Sequence, residues 1–66
     1  MKLKINGEIR ETRDSITVLQ LLENYELHPE TIAVEINFEI IPRFKYADTV
    51  LHEEDQIEIV HFVGGG

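Results

Sequence analysis

The chain has 66 residues and no cysteine, so it is predicted to form one small domain without disulfides, thiolate metal sites or a thiol nucleophile. Asp and Glu number 13 against 6 Lys and Arg, which gives a formal net charge of −7. This charge repels the phosphates of nucleic acid and favours a soluble protein that binds a basic partner. The sequence shows no long apolar stretch and no signal-peptide pattern, which predicts no membrane span and a cytoplasmic location.

Residues 1–13 predict a β-hairpin. Leu3 and Ile5 alternate with lysines, which is the period of a half-buried strand. The Asn6-Gly7 pair is typical of a two-residue hairpin turn, because both central residues of that turn need positive φ. The returning strand is rich in charge and offers mainly Ile9 to a core, so we expect it at an exposed edge of the sheet.

A short amphipathic helix follows. Thr17 and Gln20 have the spacing of a capping box, so the helix is predicted to begin at Val18. It is predicted to end near Tyr25 or Glu26, before Pro29. One apolar stripe would face the core, at positions i, i+3, i+4 and i+7, and consists of Val18, Leu21, Leu22 and Tyr25.

Residues 31–43 predict a second strand pair. Ile32, Val34 and Ile36 share one face, and Ile40 or Ile41 belongs to a short return strand. The connecting turn at Asn37-Phe38 is less favourable than Asn-Gly, because positive φ is costly for Phe. Phe38 is read as a turn residue or, less favoured, an exposed partner contact.

An irregular segment separates this pair from the last strand. Tyr46, Val50 and Leu51 are its predicted buried anchors, and residues 56–63 form the strand. The first and last strands are the most apolar, so both are predicted to lie inside the sheet, parallel if adjacent. The predicted fold is an α+β roll, a mixed sheet of four or five strands with one main helix on one face.

The last strand has two different faces. Ile57, Ile59, His61 and Val63 alternate with Gln56, Glu58, Val60 and Phe62. A face without a helix should be polar, yet the second set becomes apolar toward the end of the chain. We therefore predict that Val60 and Phe62, with Val63 beside them, bind partner proteins. Gly64, Gly65 and Gly66 then end the sequence.

These segments together resemble the ThiS family, sulfur carrier proteins of thiamine biosynthesis with the ubiquitin-like β-grasp fold. The matching pieces run from end to end, namely "INGE", "TVLQLLE", "AVEINFEIIPR", "DQIEIV" and the terminal Gly-Gly. The resemblance implies a β-grasp domain at residues 1–63 and a flexible tail at residues 64–66.

The resemblance also implies the chemistry of the tail. A carboxylate is a poor electrophile, so the Gly66 carboxylate would first be adenylated by an E1-like adenylyltransferase of the ThiF type, using ATP and Mg²⁺. Sulfur from a persulfide on another protein would then leave a thiocarboxylate at Gly66. A thiazole synthase of the ThiG type would take the sulfur for thiazole ring formation. The carrier would bind no cofactor itself and would be monomeric when free.

Three alternatives remain open at this point. They are the MoaD-type small subunit of molybdopterin synthase, a ubiquitin-like protein modifier, and a plain interaction domain. An enzyme is not expected, because the chain has no nucleophile–base pair and no phosphate-binding glycine loop. His28, His52 and His61 lack metal-ligand spacing, so no metal site is predicted.

Overall fold

Five strands and one α-helix make up most of the regular structure of residues 1–62, the part of the chain that the computed structural model describes. The predicted boundary between a domain at residues 1–63 and a tail at residues 64–66 lies outside that part. Two 3₁₀ turns, Pro29–Thr31 and Arg43–Lys45, connect elements. The elements are β1 (Lys2–Ile5), β2 (Glu8–Glu11), α1 (Val18–Asn24), β3 (Ile32–Ile36), β4 (Glu39–Ile41) and β5 (Gln56–His61).

The strands form one mixed sheet in the order β2-β1-β5-β3-β4. β1 and β5 run parallel, and the other neighbouring pairs are antiparallel. The first and last strands of the chain therefore lie inside the sheet, as their apolar composition predicted. The charged β2 lies at one edge, where charge protects unpaired backbone groups from other chains.

The two faces of the sheet differ because α1 covers only one of them. We call the covered side the inner face, and its buried residues join those of α1 in one core. The uncovered side is the outer face, formed by the alternate strand residues. The inner-face core residues are Leu3, Ile5, Ile32, Val34, Ile57 and Ile59.

The helix begins at the predicted residue. The Thr17 hydroxyl accepts a hydrogen bond from the Gln20 N–H at 3.1 Å, and the Gln20 side-chain oxygen accepts one from the Thr17 N–H at 3.0 Å. Ile16, just before this capping box, is fully buried in the same core as Leu21. These positions are those of a hydrophobic staple, which fixes the angle at which the chain enters the helix.

Three residues predicted to be buried are exposed instead. Ile9 pairs with Lys4 across β1 and β2, which places it on the outer face, where it is 72% exposed. Tyr25 caps the helix end after Asn24 and is 38% exposed. Val50 forms a bridge with Thr17 and is exposed, because neighbouring residues of an extended segment point opposite ways and Leu51 is the buried one.

The two hairpins use the same kind of turn with different second residues. Asn6 and Gly7 have φ of 49° and 84°, whereas Asn37 and Phe38 have φ of 51° and 70°. Glycine adopts positive φ without steric cost, but Phe does not. The Phe38 side chain is also 81% exposed, so its packing contributes little free energy to offset the backbone strain.

Replacing Phe38 by glycine is therefore expected to stabilise the domain. We expect Phe38→Gly to raise the free energy of unfolding by about 0.5–1 kcal/mol, because relief of strain exceeds the entropy that glycine adds to the unfolded chain. Urea unfolding monitored by circular dichroism measures this change. Phe38→Ala is the matched control, since it removes the ring but keeps the strain. Equal stability of Phe38→Gly and Phe38→Ala would contradict the explanation.

Candidate functional site at the end of β5

β5 is the strand that leads to the terminal glycines, and neighbouring strands hold it on both sides. On one side Lys4 pairs with Gln56 and Ile5 with Ile57 in the parallel register. On the other side β3 pairs with β5 along its length, from Ile36 opposite Ile57 to Ile32 opposite His61. β5 is therefore a central strand, held in place by backbone hydrogen bonds to β1 and β3.

Side chains from both hairpin turns extend this pairing. The Asn6 side-chain oxygen accepts a hydrogen bond from the Ile59 N–H at 2.7 Å, and its amide donates to the Ile59 carbonyl at 3.2 Å. The Asn37 side-chain oxygen accepts from the Gln56 N–H at 3.0 Å, and its amide donates to the Asp55 carboxylate at 3.0 Å. The two turn asparagines thus secure β5 at its start and beyond the end of β1.

Phe62 is the last residue of the described part, and its backbone is still paired. Its N–H donates to the Thr31 carbonyl at 3.0 Å, one residue before β3 begins. Val63, Gly64, Gly65 and Gly66, the predicted tail and its flanking contact residue, lie outside the described residues. Backbone pairing in the described part of the chain therefore reaches Phe62, next to the first residue of β3.

Val60 and Phe62 lie on the outer face, as predicted. Their side chains are 54% and 55% exposed, whereas Ile57 and Ile59 on the same strand are buried. Val60 pairs with Ala33 across β3, so the apolar surface extends onto that strand. The predicted exposure is confirmed, while partner binding by Val60 and Phe62 stays a prediction.

Two further exposed apolar side chains were missed by the sequence reasoning. Ile40 pairs with Glu35 and is 74% exposed on the outer face. The two-residue turn at Asn37-Phe38 fixes this pairing, so the sequence did contain a signal for the direction of Ile40. Phe44 is also exposed, with the Lys45 Nζ 6.0 Å from the centre of its ring, and no pattern in the sequence marks it.

Arg43 braces the loop that follows β4. Its Nη2 donates a hydrogen bond to the Glu30 carbonyl at 3.2 Å. The bond joins the 3₁₀ turn after β4 to the turn before β3, close to the point where Phe62 pairs with Thr31. Arg43 therefore supports the end of the sheet where Phe62 pairs with Thr31.

Residues 1–62 contain neither a cluster of metal-binding side chains nor a helix that could span a membrane. Within residues 1–62, no three His, Asp or Glu side chains are grouped so as to hold a metal ion. Over the same residues, no helix has both the length and the apolar character needed to span a membrane. The features that distinguish this region are thus the anchored end of β5 and the exposed apolar side chains beside it.

Comparison with known proteins agrees with this arrangement. The family model described as the ThiS family matches residues 3–66. The sulfur carrier protein ThiS of Bacillus subtilis is 43% identical over 65 residues, covering 97% of this chain and 98% of that protein. A crystal structure of the thiamine biosynthesis protein ThiS from Geobacter metallireducens superimposes with a TM-score of 0.87 at 30% identity, covering 100% of both chains.

Longer proteins contain a similar segment. Thiazole synthases of Paramagnetospirillum magneticum and Magnetococcus marinus are 46% and 44% identical to this chain over 66 residues. The chain spans only 20% of the length of each of these two proteins.

The Geobacter match confirms that the predicted α+β roll is a β-grasp fold. The family match over residues 3–66, with the likeness to nearly the whole Bacillus subtilis protein, shows that this chain belongs to the ThiS family of sulfur carrier proteins.

Proposed function

We propose that this chain carries sulfur as a thiocarboxylate on Gly66 and delivers it for thiazole ring formation in thiamine biosynthesis. The chain acts as a protein cosubstrate in the cytoplasm, with no active site of its own. The observation that carries the proposal is the match of the ThiS family model, which runs to Gly66 itself.

Loading of Gly66 takes place on partner proteins. In an E1-like adenylyltransferase, a carboxylate oxygen attacks the α-phosphate of ATP and releases pyrophosphate, with Mg²⁺ held by the enzyme. The terminal sulfur of a protein persulfide then displaces AMP from the acyl-adenylate. A thiol cleaves the resulting S–S bond, forming a disulfide and leaving the thiocarboxylate. Every step needs a tail that enters another protein, and glycine, lacking Cβ, passes where larger residues clash.

A thiazole synthase is the acceptor that the comparisons favour. Two proteins named thiazole synthase contain a segment similar to this whole chain within a longer polypeptide. Carrier-like and synthase sequences thus occur in one protein, which supports functional contact between them. The same names favour the thiamine pathway over molybdopterin synthesis.

The test is to add purified thiazole synthase, with its small-molecule substrates, to the thiocarboxylated chain. Loss of the thiocarboxylate in the presence of thiazole synthase supports the proposal. Loss only in the presence of a molybdopterin synthase large subunit would contradict it.

Val60 and Phe62 are proposed to bind these partners together with Val63. We expect the double variant Val60→Ala/Phe62→Ala to weaken binding to the adenylyltransferase and the thiazole synthase about 10- to 100-fold, because exposed aromatic and aliphatic anchors carry much of the energy of protein interfaces. Isothermal titration calorimetry measures the loss, and circular dichroism checks folding.

Ile9→Ala is the matched control for this experiment. Ile9 is an exposed apolar residue of the same outer face but lies on the edge strand β2, at the far side of β1 from β5. Its removal is expected to leave binding unchanged. Unchanged affinity of the folded Val60→Ala/Phe62→Ala variant would rule out this contact surface.

A further inference from the structure

The Asn6 side chain takes the place of a strand residue beside β5. After Ile5 the chain turns into the first hairpin, so β1 ends while β5 continues. The Asn6 side-chain oxygen accepts a hydrogen bond from the Ile59 N–H at 2.7 Å, and its amide donates to the Ile59 carbonyl at 3.2 Å. A continuing parallel strand would offer Ile59 one carbonyl and one N–H. The single carboxamide of Asn6 supplies both groups.

Within residues 1–62, these two bonds reach further along β5 than any other hydrogen bond on its β1 side. The register between β1 and β5 stops at Ile5 and Ile57, where the Asn6 N–H donates to the Ile57 carbonyl at 2.9 Å. On the opposite side, β3 follows β5 to its end, and the Phe62 N–H donates to the Thr31 carbonyl. Without the Asn6 side chain, β5 would be held on both sides only as far as Ile57.

The surroundings of the two bonds favour a rigid contact. Ile59 is buried, and both bonds are partly shielded from water. Hydrogen bonds in such a setting are electrostatically stronger than fully exposed ones. Asn6 is itself fixed, because it is the first central residue of a two-residue hairpin turn, with φ of 49°. The carboxamide therefore joins a rigid turn to the end of a central strand.

Sulfur loading needs a fixed reference of this kind. Gly66 is the fourth residue after Phe62, and three of these four residues are glycine. Glycine restricts the backbone least, so the sequence of residues 64–66 specifies little about where the Gly66 carboxylate lies. A displacement of about 1 Å at a reacting atom can cost 10²-fold in rate. Accurate presentation of the carboxylate therefore depends on the strand to which these residues are attached and on the enzyme that binds them.

We propose that Asn6 is a positioning residue for sulfur loading. By bonding Ile59, it fixes the end of β5, to which residues 63–66 are attached, relative to the surface that the adenylyltransferase binds. Its role is positioning rather than catalytic, because it acts through Ile59. Val60 and Phe62 keep their pairing along β3 without it, so binding itself should change little. The inference rests on the proposed function and assigns the first hairpin turn a part in it.

Asn37 offers a matched control for Asn6. It has the same place in the second hairpin, with φ of 51°, and its side-chain oxygen accepts from the Gln56 N–H at 3.0 Å, at the start of β5. Glycine adopts positive φ without strain, so Asn6→Gly and Asn37→Gly each remove one carboxamide and keep the turn. The comparison separates the loss of an anchor at the end of β5 from the loss of one at its start.

The experiment follows adenylation of each protein in a single turnover. The chain is mixed with ATP, Mg²⁺ and an increasing excess of the adenylyltransferase from the same genome, and pyrophosphate release is recorded. The plateau rate measures reaction of the bound carrier, and the half-saturating enzyme concentration measures binding. Hydrogen exchange at the Ile59 amide and circular dichroism of each protein alone are recorded in parallel.

Asn6→Gly is expected to lower the plateau rate about tenfold or more, with the half-saturating concentration changed less than about threefold. The Ile59 amide should exchange faster in this variant, because the Asn6 oxygen accepts its hydrogen bond. Asn37→Gly should lower the plateau rate less than about twofold and leave exchange at Ile59 unchanged.

A second variant covers the case in which Asn6→Gly does not fold. Asn6→Asp keeps an acceptor for the Ile59 N–H but has no donor for the Ile59 carbonyl. We expect a plateau rate about threefold lower than that of the unmodified chain, and an unchanged rate would count against the inference.

Two results would overturn the inference and leave the proposed function intact. One is equal slowing by Asn6→Gly and Asn37→Gly, which would indicate a general effect of weakening the sheet. The other is an unchanged plateau rate in a folded Asn6→Gly, whether or not the half-saturating concentration rises. If the unmodified chain is not adenylated, the proposed function fails and the inference fails with it.

Discussion

Deletion of Gly66 is expected to slow sulfur loading about 100-fold or more while the domain stays folded. The shortened chain still ends in Gly64-Gly65, so its terminal group is chemically the same. What changes is reach, since one extended residue spans about 3.3–3.6 Å. A displacement of even about 1 Å from the attacking position can cost 10²-fold in rate, so we expect loading to fall by at least about that factor.

A second variant separates reach from the free carboxylate. Adding one alanine after Gly66 converts its carboxylate to an amide, which cannot attack ATP, and we expect no thiocarboxylate at Gly66. Intact mass after incubation with the adenylyltransferase, ATP, Mg²⁺, a persulfide donor and a thiol measures both variants. Unchanged circular dichroism is expected, because backbone pairing in the described part ends at Phe62. Loading of the shortened chain at the unmodified rate would contradict the assignment of Gly66.

Leu22→Ala is expected to leave the domain barely folded. Leu22 is fully buried in the core between α1 and the inner face. Such substitutions cost about 2–5 kcal/mol through lost burial and the cavity left behind. A domain of 66 residues has a total stability of roughly 3–10 kcal/mol, so the loss takes a large share of it. Sulfur loading should decline with the folded fraction.

Glu23→Ala provides the neighbouring control on the same helix. Glu23 is exposed, and a substitution there should change the free energy of unfolding by at most about 0.5 kcal/mol. Urea unfolding of both variants measures the contrast. Similar stability losses for Leu22→Ala and Glu23→Ala would contradict the packing of α1 on the inner face through Leu22.

Local signals in the sequence were sufficient for most of the fold. The Asn6-Gly7 turn, the Thr17–Gln20 capping box and the alternation around Ile57 each depend on interactions within a few residues. Such interactions are readable from spacing alone. The interior position of the first and last strands followed from their apolar composition, and the parallel pairing of β1 with β5 agrees with it.

The errors concern residues whose burial depends on distant partners. Ile9 is apolar, but its register with Lys4 turns it outward. Tyr25 continues the helical stripe, yet the helix ends at Asn24 and leaves the ring half-exposed. Ile16 was not identified as core, although its position before the capping box matches a hydrophobic staple. Hydrophobic periodicity predicts which face of a strand or helix is apolar. It does not predict how far the packed core extends over that face.

The candidate site was predictable only in part for the same reason. The alternation along β5 predicted the exposure of Val60 and Phe62 from one strand. The pairing of Val60 with Ala33 depends on which strand lies beside β5, and in which register. Residues 33 and 60 are distant in the chain, so no local pattern links them. The exposure of the Phe44 ring likewise depends on the folded structure and has no signal in the sequence.

Intact mass of the unmodified chain tests the carrier function itself. The chain is incubated with its own adenylyltransferase, ATP, Mg²⁺, a persulfide donor and a thiol that cleaves the acyl disulfide, and parallel samples omit ATP or the adenylyltransferase. We predict a species heavier by one exchange of oxygen for sulfur in the complete mixture only, with the change located at Gly66 by fragmentation. A single unmodified mass in the complete mixture would contradict the sulfur carrier function and leave an interaction domain as the better interpretation.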